Sequence, residues 1–255
     1  SFVDAVNELS LQTGVKIDFE NNKKNHQDNK VEEILELSCS WFHENLNNSA
    51  AKICNEYLLD RKLTTETIKK FKLGYSSNSD STLYSYLEKK GFKEKDLLES
   101  NVIKLDKNNK IRDYFYRRLI FPIMNINGKV LGFGGRALDE TNPKYINSPE
   151  SKFFHKRSIL YNLNFAKNTA RKKNNLLICE GYMDVISLDQ KGISSVVAPL
   201  GTSFTEDQLK LAWKYSTKPT IMFDGDGAGI RASYKAAVMA LPLISAKSFL
   251  QFITL

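Results

Sequence analysis

The fold of this 255-residue chain is decided by two stretches, LLICEGYMDVISLDQKGISSVVAPL (residues 176–200) and TIMFDGDGAG (residues 220–229). Each short apolar run is followed by polar residues and glycines, and then by a segment with helical periodicity. The same alternation continues through AGIRASYKAAVMALPLI and SFLQFITL. Strand and helix alternate four times from residue 175 onward, which predicts an α/β fold built on a parallel, doubly wound sheet.

Acidic residues follow two of the predicted strands. Glu180 comes directly after LLIC, and Asp224 and Asp226 come directly after TIMF. Ligands of α/β sheets bind at the carboxyl ends of the strands, so these acids are expected to share a pocket. Asp184 lies four residues after Glu180, about one helical turn further along the same face. Taken singly, a Glu at a strand end is more often a cap or an ion-pair partner, and DGDG alone is compatible with an ordinary turn.

The combination of these acids predicts a metal site. Clustered carboxylates repel one another unless a cation neutralises them. Oxygen ligands without His or Cys favour Mg²⁺ or Mn²⁺ over zinc. The glycines beside Asp224 and Asp226 let backbone or phosphate approach without a Cβ in the way.

The residues upstream have a different periodicity. Helical spacing of apolar residues over 31–59 predicts two helices with a break at Asn47–Ser49, and capping patterns predict short helices over 64–71 and 81–90. The stretch RRLIFPIMNINGKVLGFGGRAL (117–138) predicts a β-hairpin that turns at Asn127 and Gly128. Within it, Gly132, Gly134 and Ala137 match a dinucleotide-binding pattern, but no helical periodicity follows, so we interpret them as positions of close backbone packing or of a turn.

We therefore predict an N-terminal mixed α+β subdomain followed by the parallel sheet. Residues 1–30 are expected to be a connecting segment, mobile over the Asn/Lys-rich stretch 20–30. Residues 31–174 form the predicted mixed subdomain, and residues 175–255 the predicted sheet subdomain.

Positive charge is concentrated in one part of the chain. The chain has a formal net charge of +8, and residues 110–175 alone carry 14 basic and 4 acidic residues. This segment is either a phosphate-binding surface or a solvated basic face. The composition, with 42% hydrophobic residues and 13 glycines, excludes collagen-like and wholly disordered proteins.

Three scattered cysteines and the lack of a long apolar run predict a cytoplasmic protein that does not span a membrane. The absence of Met at the first position suggests a processed or excised piece of a longer protein.

The acidic pattern EGYMD (180–184) followed by FDGDGAG (223–229) resembles the metal site of the Toprim fold, which primases, topoisomerases and some nucleases share. Five further strings, in order, resemble the RNA polymerase domain of bacterial DnaG-type primases: RRLIFPI, GFGGRAL, PKYINSPES, FHKRSILYNL and APLGTSFTEDQL. This resemblance implies a Toprim-type sheet subdomain, truncated at its C-terminal end, because the family pattern continues with another Asp-x-Asp beyond Leu255.

The resemblance also implies an activity and its residues. Such enzymes are nucleotidyltransferases that copy single-stranded DNA into short RNA primers from ribonucleoside triphosphates. Glu180, Asp224 and Asp226 would be catalytic and, with Asp184, would hold the Mg²⁺ or Mn²⁺ ions. The residues implied to contact template and nucleotide phosphates are Arg61, Arg118, Arg136, Lys144, Asn147 and Lys156, of which Arg61 and Arg118 match the family pattern least closely.

Further partners follow from the resemblance. The replicative helicase would be contacted through a domain absent here, and a monomer is expected. The chain alone is expected to bind nucleotide, metal and single-stranded DNA yet to make little primer. The alternatives are another Toprim enzyme, either a topoisomerase or a nuclease, and a non-catalytic nucleic-acid-binding module with structural acids.

Overall fold

The computed structural model describes residues 21–77, 82–201 and 203–254. Most of the predicted connecting segment 1–30, the first residue of the predicted helix 81–90, and Leu255 lie outside this part of the chain. The helices of the N-terminal half are α1 (Asn21–Glu44), α2 (Lys52–Asp60), α3 (Thr65–Lys70), α4 (Leu83–Lys89) and α5 (Glu94–Glu99), with 3₁₀ turns at Asn45–Asn47 and Ser49–Ala51. No helix in the described ranges is long and apolar enough to cross a membrane.

The prediction of a mobile connection over 20–30 is wrong from Asn21 onward, because this polar stretch forms the first turns of α1. Tertiary contacts stabilise it. Gln27 Nε2 donates hydrogen bonds to the carboxylates of Asp96 (2.9 Å) and Glu99 (2.8 Å). Asp28 pairs with Lys152, 124 residues further along the chain. Local composition could not reveal these partners.

An antiparallel sheet contains the predicted hairpin. Its strands are β1 (Gly74–Ser76), β4 (Arg118–Met124), β5 (Val130–Ala137) and β6 (Tyr145–Asn147), in the order β1-β4-β5-β6. The hairpin turn lies where it was predicted, and Gly128 has a φ of 85° that favours glycine. A small antiparallel ribbon pairs β2 (Ile103–Leu105) with β3 (Ile111–Asp113).

The C-terminal half confirms the predicted alternation of strand and helix. After the 3₁₀ turn Lys156–Ser158, its elements are β7 (Leu160–Tyr161), α6 (Leu163–Lys173), β8 (Leu177–Ile178), α7 (Tyr182–Gln190), β9 (Val196–Pro199), α8 (Glu206–Trp213), β10 (Thr220–Phe223), α9 (Gly227–Ala240) and β11 (Gln251–Thr254). The sheet order is β11-β10-β8-β9-β7. Neighbouring strands are parallel except at the β7–β9 edge.

The two sheets share one hydrophobic cluster. Tyr75, Leu119 and Phe121 of the antiparallel sheet belong to it, as do Tyr182 and Val185 of α7. The Tyr182 ring stacks on Phe121 with centroids 4.8 Å apart and planes 9° apart. The start of α7 is therefore fixed against both halves of the molecule.

Gly134 provides the space for this contact. A Cβ there would lie 2.6 Å from the Tyr182 ring. The glycines of the apparent dinucleotide motif lie inside β5, so they serve packing, and the alternative of a turn is wrong.

Candidate active site

The strands β8 and β10 are neighbours, and an acid follows each of them. Ile178 of β8 pairs with Ile221 of β10, which brings Glu180 beside the end of β10. The backbone N–H of Asp224 donates a hydrogen bond of 3.0 Å to Glu180 Oε1. The structure thus brings Glu180 and Asp224 together at the carboxyl edge of the parallel sheet.

Asp184 and Asp226 are each held by the beginning of a helix. Asp184 Oδ2 accepts a hydrogen bond of 2.9 Å from the N–H of Gly181, immediately before α7. Asp226 precedes α9, and its Oδ1 accepts from Ala228 N–H and Gly229 N–H, each at 2.8 Å. Glu180, Asp184 and Asp226 therefore each have one oxygen held by backbone amides, while their other oxygens accept no hydrogen bond within the described ranges.

Gly229 allows α9 to approach the acids. A Cβ at this position would lie 2.1 Å from the Asp224 carbonyl oxygen and 2.7 Å from Glu180 Oε1. Real Cβ atoms do not approach backbone oxygens this closely, so the third glycine of DGDGAG is required by the geometry of the site.

The electrostatics agree with a shared acidic site. Burial, together with repulsion from Asp224, Asp226 and Asp184, raises the pKa of Glu180. Burial and the charge of Asp224 raise the pKa of Asp184, against the opposing effects of Gly181 N–H and Arg61. The pKa of Asp226 is lowered by the N–H groups of Gly229 and Ala228. A nearby cation would relieve the repulsion that Glu180 experiences.

The donor set fits a hard divalent cation. All four side chains offer carboxylate oxygens, and backbone hydrogen bonds orient three of them. Across the described residues, no three His, Cys, Asp or Glu side chains converge as a ready-made metal cage. Mg²⁺ is usually bound by one or two carboxylates plus substrate phosphates rather than by such a cage, so this arrangement suits it.

A cleft of about 400 Å³ lies beside the acids. Glu180, Asp184, Tyr145 and Asn147 line it. Asn147 Oδ1 accepts a hydrogen bond of 2.6 Å from Tyr182 Oη, which fixes the amide at the wall of the cleft. The sequence-predicted Asn147 therefore shares a cavity with Glu180 and Asp184.

Arg61 and Arg136 meet at one aromatic ring. Their guanidinium carbons lie 5.2 Å and 4.1 Å from the ring centroid of Tyr57. The Arg136 guanidinium is also 5.9 Å from the ring centroid of Tyr145. Arg61 is close enough to Asp184 to oppose the rise in the pKa of that acid. These two arginines, which come from different elements, are thus gathered beside the acidic site.

Sequence reasoning missed Tyr57 and Tyr145. Tyr57 precedes Arg61 by four residues, a spacing that puts both on one helical face, and this signal was available. Tyr145 lies between Lys144 and Asn147, both of which were singled out from the sequence.

The remaining basic residues have different surroundings. Lys144 is exposed and lines a hollow of about 300 Å³ with Arg136. Lys156 lies outside these hollows, on the 3₁₀ turn Lys156–Ser158. Its backbone carbonyl accepts a hydrogen bond of 2.9 Å from Gln208 Nε2. Arg118 is buried, and its guanidinium donates hydrogen bonds to the carbonyls of Gly135, Pro143 and Lys144. Arg118 therefore supports the loop that carries Lys144 rather than an open surface.

The parallel sheet with its strand-end acids defines a Toprim domain, and the family described as Toprim domain matches residues 174–247. The family described as DNA primase catalytic core, N-terminal domain, matches residues 41–167. The chain belongs to the DnaG-type DNA primase catalytic core family.

Individual relatives agree. A DNA primase of Clostridium acetobutylicum is 42% identical over 245 residues, which are 92% of this chain and 39% of that protein. A DnaG primase catalytic domain bound to ssDNA is 34% identical, with a TM-score of 0.80 over 91% of this chain and 74% of that one. A DNA primase domain from Pseudomonas aeruginosa is 33% identical, with a TM-score of 0.83 over 88% and 71% of the two chains. The chain spans about two fifths of the length of the curated relatives it matches.

Proposed function

We propose that this chain is the catalytic core of a DNA primase, a nucleotidyltransferase that synthesises short RNA primers on single-stranded DNA from ribonucleoside triphosphates. The observation that carries the proposal is the hydrogen bond from Asp224 N–H to Glu180 Oε1, which joins two strand ends in one acidic site. The arginines gathered at Tyr57 lie beside that site and offer charge of the opposite sign.

In the proposed reaction, the 3′-hydroxyl oxygen of the growing primer attacks the α-phosphorus of the incoming nucleotide. A new P–O bond forms as the bond to pyrophosphate breaks, and the hydroxyl proton passes to solvent. Divalent ions, when bound, lower the charge repulsion of this step and stabilise the leaving pyrophosphate. Glu180, Asp184, Asp224 and Asp226 are the proposed ligands, and the acid-only donor set suits Mg²⁺ or Mn²⁺.

The basic residues are proposed to bind the phosphates of template and nucleotide. Arg61 and Arg136 would orient phosphates toward the acids, and Asn147 would contact the ligand within the cleft. Lys144 and Lys156 would extend the positive surface along the template. Arg118 is proposed to act through the loop it supports, because its donors are used by carbonyls.

The wider assignments rest on the family. The chain is proposed to divide near residue 174 into a mixed α+β subdomain and a Toprim subdomain. The limits of the two family matches support this division. The replicative helicase is proposed as a partner of the longer protein, and the chain is expected to be monomeric.

The test is metal-dependent RNA synthesis by the full-length protein that contains this chain, measured on a single-stranded DNA template with ribonucleoside triphosphates and Mg²⁺ or Mn²⁺. We expect Asp224→Ala to lower synthesis by about 100-fold or more while DNA binding survives, because charge stabilisation at the reacting phosphate is lost. Asp207→Ala removes an exposed carboxylate from α8 and should leave synthesis unchanged.

Undiminished synthesis by Asp224→Ala would reject the proposed site. Cleavage or relaxation of DNA without RNA synthesis would indicate another Toprim enzyme. DNA binding that no divalent ion affects, without any chemistry, would indicate a binding module.

A further inference from the structure

The side chain of Gln190 joins the last residue of α7 to a loop more than 120 residues earlier in the chain. Its Oε1 accepts a hydrogen bond of 2.8 Å from the N–H of Thr64, and its Nε2 donates one of 2.8 Å to the carbonyl of Lys62. Both polar groups of one side chain are thus used on the backbone of the loop between α2 and α3. Gln190 is outside the acidic site and has no part in the proposed chemistry.

This loop is the turn that begins at Arg61. Lys62 N–H bonds to Leu59 O at 2.7 Å and Leu63 N–H to Leu58 O at 3.1 Å, the two hydrogen bonds of a Schellman helix end. Lys62 has a φ of 55°, a region that lysine adopts only at a cost. The hydrogen bonds from Gln190 hold the turn in this form directly after Arg61.

The same helix carries Asp184. Asp184 lies in the first turn of α7 and Gln190 at its end, about 9 Å apart along the helix axis. Next to Gln190, Asp189 is buried and pairs with Lys70 of α3 at 2.6 Å. The end of α7 therefore holds the α2–α3 segment at two adjacent points, while its beginning presents an acid of the site.

We propose that Gln190 is a positioning residue that fixes Arg61 at the Tyr57 ring, where Arg136 also lies, next to the cleft that Tyr145 and Asp184 line. Through the turn 61–64, the side chain of Gln190 sets the distance between Arg61 and α7, the helix that carries Asp184. This inference rests on the proposed function only in assigning a phosphate ligand to Arg61.

The experiment is a double-mutant cycle between Gln190→Leu and Arg61→Ala. Two probes are used in the presence of Mg²⁺, a fluorescein-labelled single-stranded DNA of about 20 nucleotides and a fluorescent ATP analogue. For each probe whose binding is weakened by Arg61→Ala, we expect Gln190→Leu alone to weaken binding about threefold. In the Arg61→Ala background, Gln190→Leu should have no further effect on binding. Equal losses from Gln190→Leu in both backgrounds, or no loss in either, would overturn the proposal.

Control variants separate positioning from folding. Ser187→Ala alters an exposed side chain of the same helix and should bind as the unaltered chain does. Gln190→Glu keeps the acceptor for Thr64 N–H and loses the donor to Lys62, so it should show a smaller loss than Gln190→Leu. It replaces that variant in the cycle if Gln190→Leu does not fold.

The outcome remains decisive if the proposed function is wrong. Should neither probe respond to Arg61→Ala, the phosphate-binding role of Arg61 fails, and a crystal structure of the Gln190 variant decides the inference. Displacement of the Arg61 guanidinium from the Tyr57 ring would support it, and an unmoved guanidinium would reject it.

Discussion

At the scale of single residues, the acids of the site are held by the backbone. Glu180, Asp184 and Asp226 each accept hydrogen bonds from main-chain N–H groups through one oxygen. The sequence placed these acids at strand and helix ends, because that requires only the local alternation of elements. It could not predict which oxygen is held, since the donor to Glu180 lies 44 residues away.

The raised pKa of Glu180 gives a pH-dependent prediction. The folded chain takes up this proton more readily than the unfolded chain, so the ionised Glu180 lowers stability once the pH rises above its unfolded pKa. We expect Glu180→Gln to raise the melting temperature by roughly 2 °C at about pH 7 without divalent ions, and to leave it unchanged at about pH 3. Thermal unfolding followed by fluorescence at both pH values measures the effect.

The effect of Asp226→Asn on the melting temperature is expected to have the opposite sign. Backbone donors lower the pKa of Asp226, so its stabilising contribution is present above the unfolded pKa and is lost as the pH falls. This variant should lower the melting temperature at neutral pH and have little effect in acid. A fall in melting temperature for Glu180→Gln at neutral pH would contradict the repulsion inferred for the site.

Gly229 allows a second test at this scale. Gly229→Ala places a methyl group against the Asp224 carbonyl and Glu180, so we expect a loss of about 1–3 kcal/mol of stability and displacement of both acids. Gly227→Ala is the matched control, because its Cβ would meet only the flexible end of Arg231 at 3.2 Å. In urea unfolding, the control should be neutral or gain up to about 1 kcal/mol, since alanine favours helix. Equal effects of the two substitutions would contradict the close approach described for α9.

At the scale of elements, local rules predicted those boundaries that local side chains set. Thr64 and Thr82 cap the helices predicted over 64–71 and 81–90, each by accepting from a backbone N–H three residues later. The sequence failed where distant partners decide, as at the start of α1, which Asp96 and Glu99 stabilise. The contribution of Gln190 to the end of α2 was invisible for the same reason.

The end of α2 carries a prediction of its own. Lys62 has a positive φ where glycine is preferred, so Lys62→Gly should raise stability by about 1 kcal/mol. Lys69→Gly, within α3, should instead lower stability by about 1 kcal/mol, because glycine disfavours a helix interior. Urea unfolding of both variants measures the contrast. A loss of stability in Lys62→Gly would mean that the side chain of Lys62 contributes more than the backbone strain costs.

At the scale of the whole molecule, charge is distributed unevenly over a continuous structure. The segment 110–175 carries a large excess of basic residues, whereas the acids of the site come from the parallel sheet. Composition predicted this separation, but only the fold brings Arg61 and Arg136, 75 positions apart, to one ring.

The basic segment predicts a salt dependence of DNA binding. If Lys156 neutralises one template phosphate, Lys156→Ala should weaken binding and reduce the slope of log Kd against log salt concentration by about 0.7. Lys218→Ala, an exposed lysine outside this segment, should leave the slope unchanged. Fluorescence anisotropy over a series of salt concentrations measures both slopes. An unchanged slope for Lys156→Ala would remove this lysine from the proposed surface.

The stacking of Tyr182 on Phe121 has an evolutionary consequence. Because these rings belong to one apolar cluster that spans both sheets, the acidic half of this chain depends on a contact that its upstream half provides. A recombination event that joined the acidic half to an unrelated upstream partner would expose Tyr182 to water. It would also remove the packing that fixes the start of α7, and with it the position of Asp184. A Toprim domain joined to a different partner must therefore cover this position of α7 in another way.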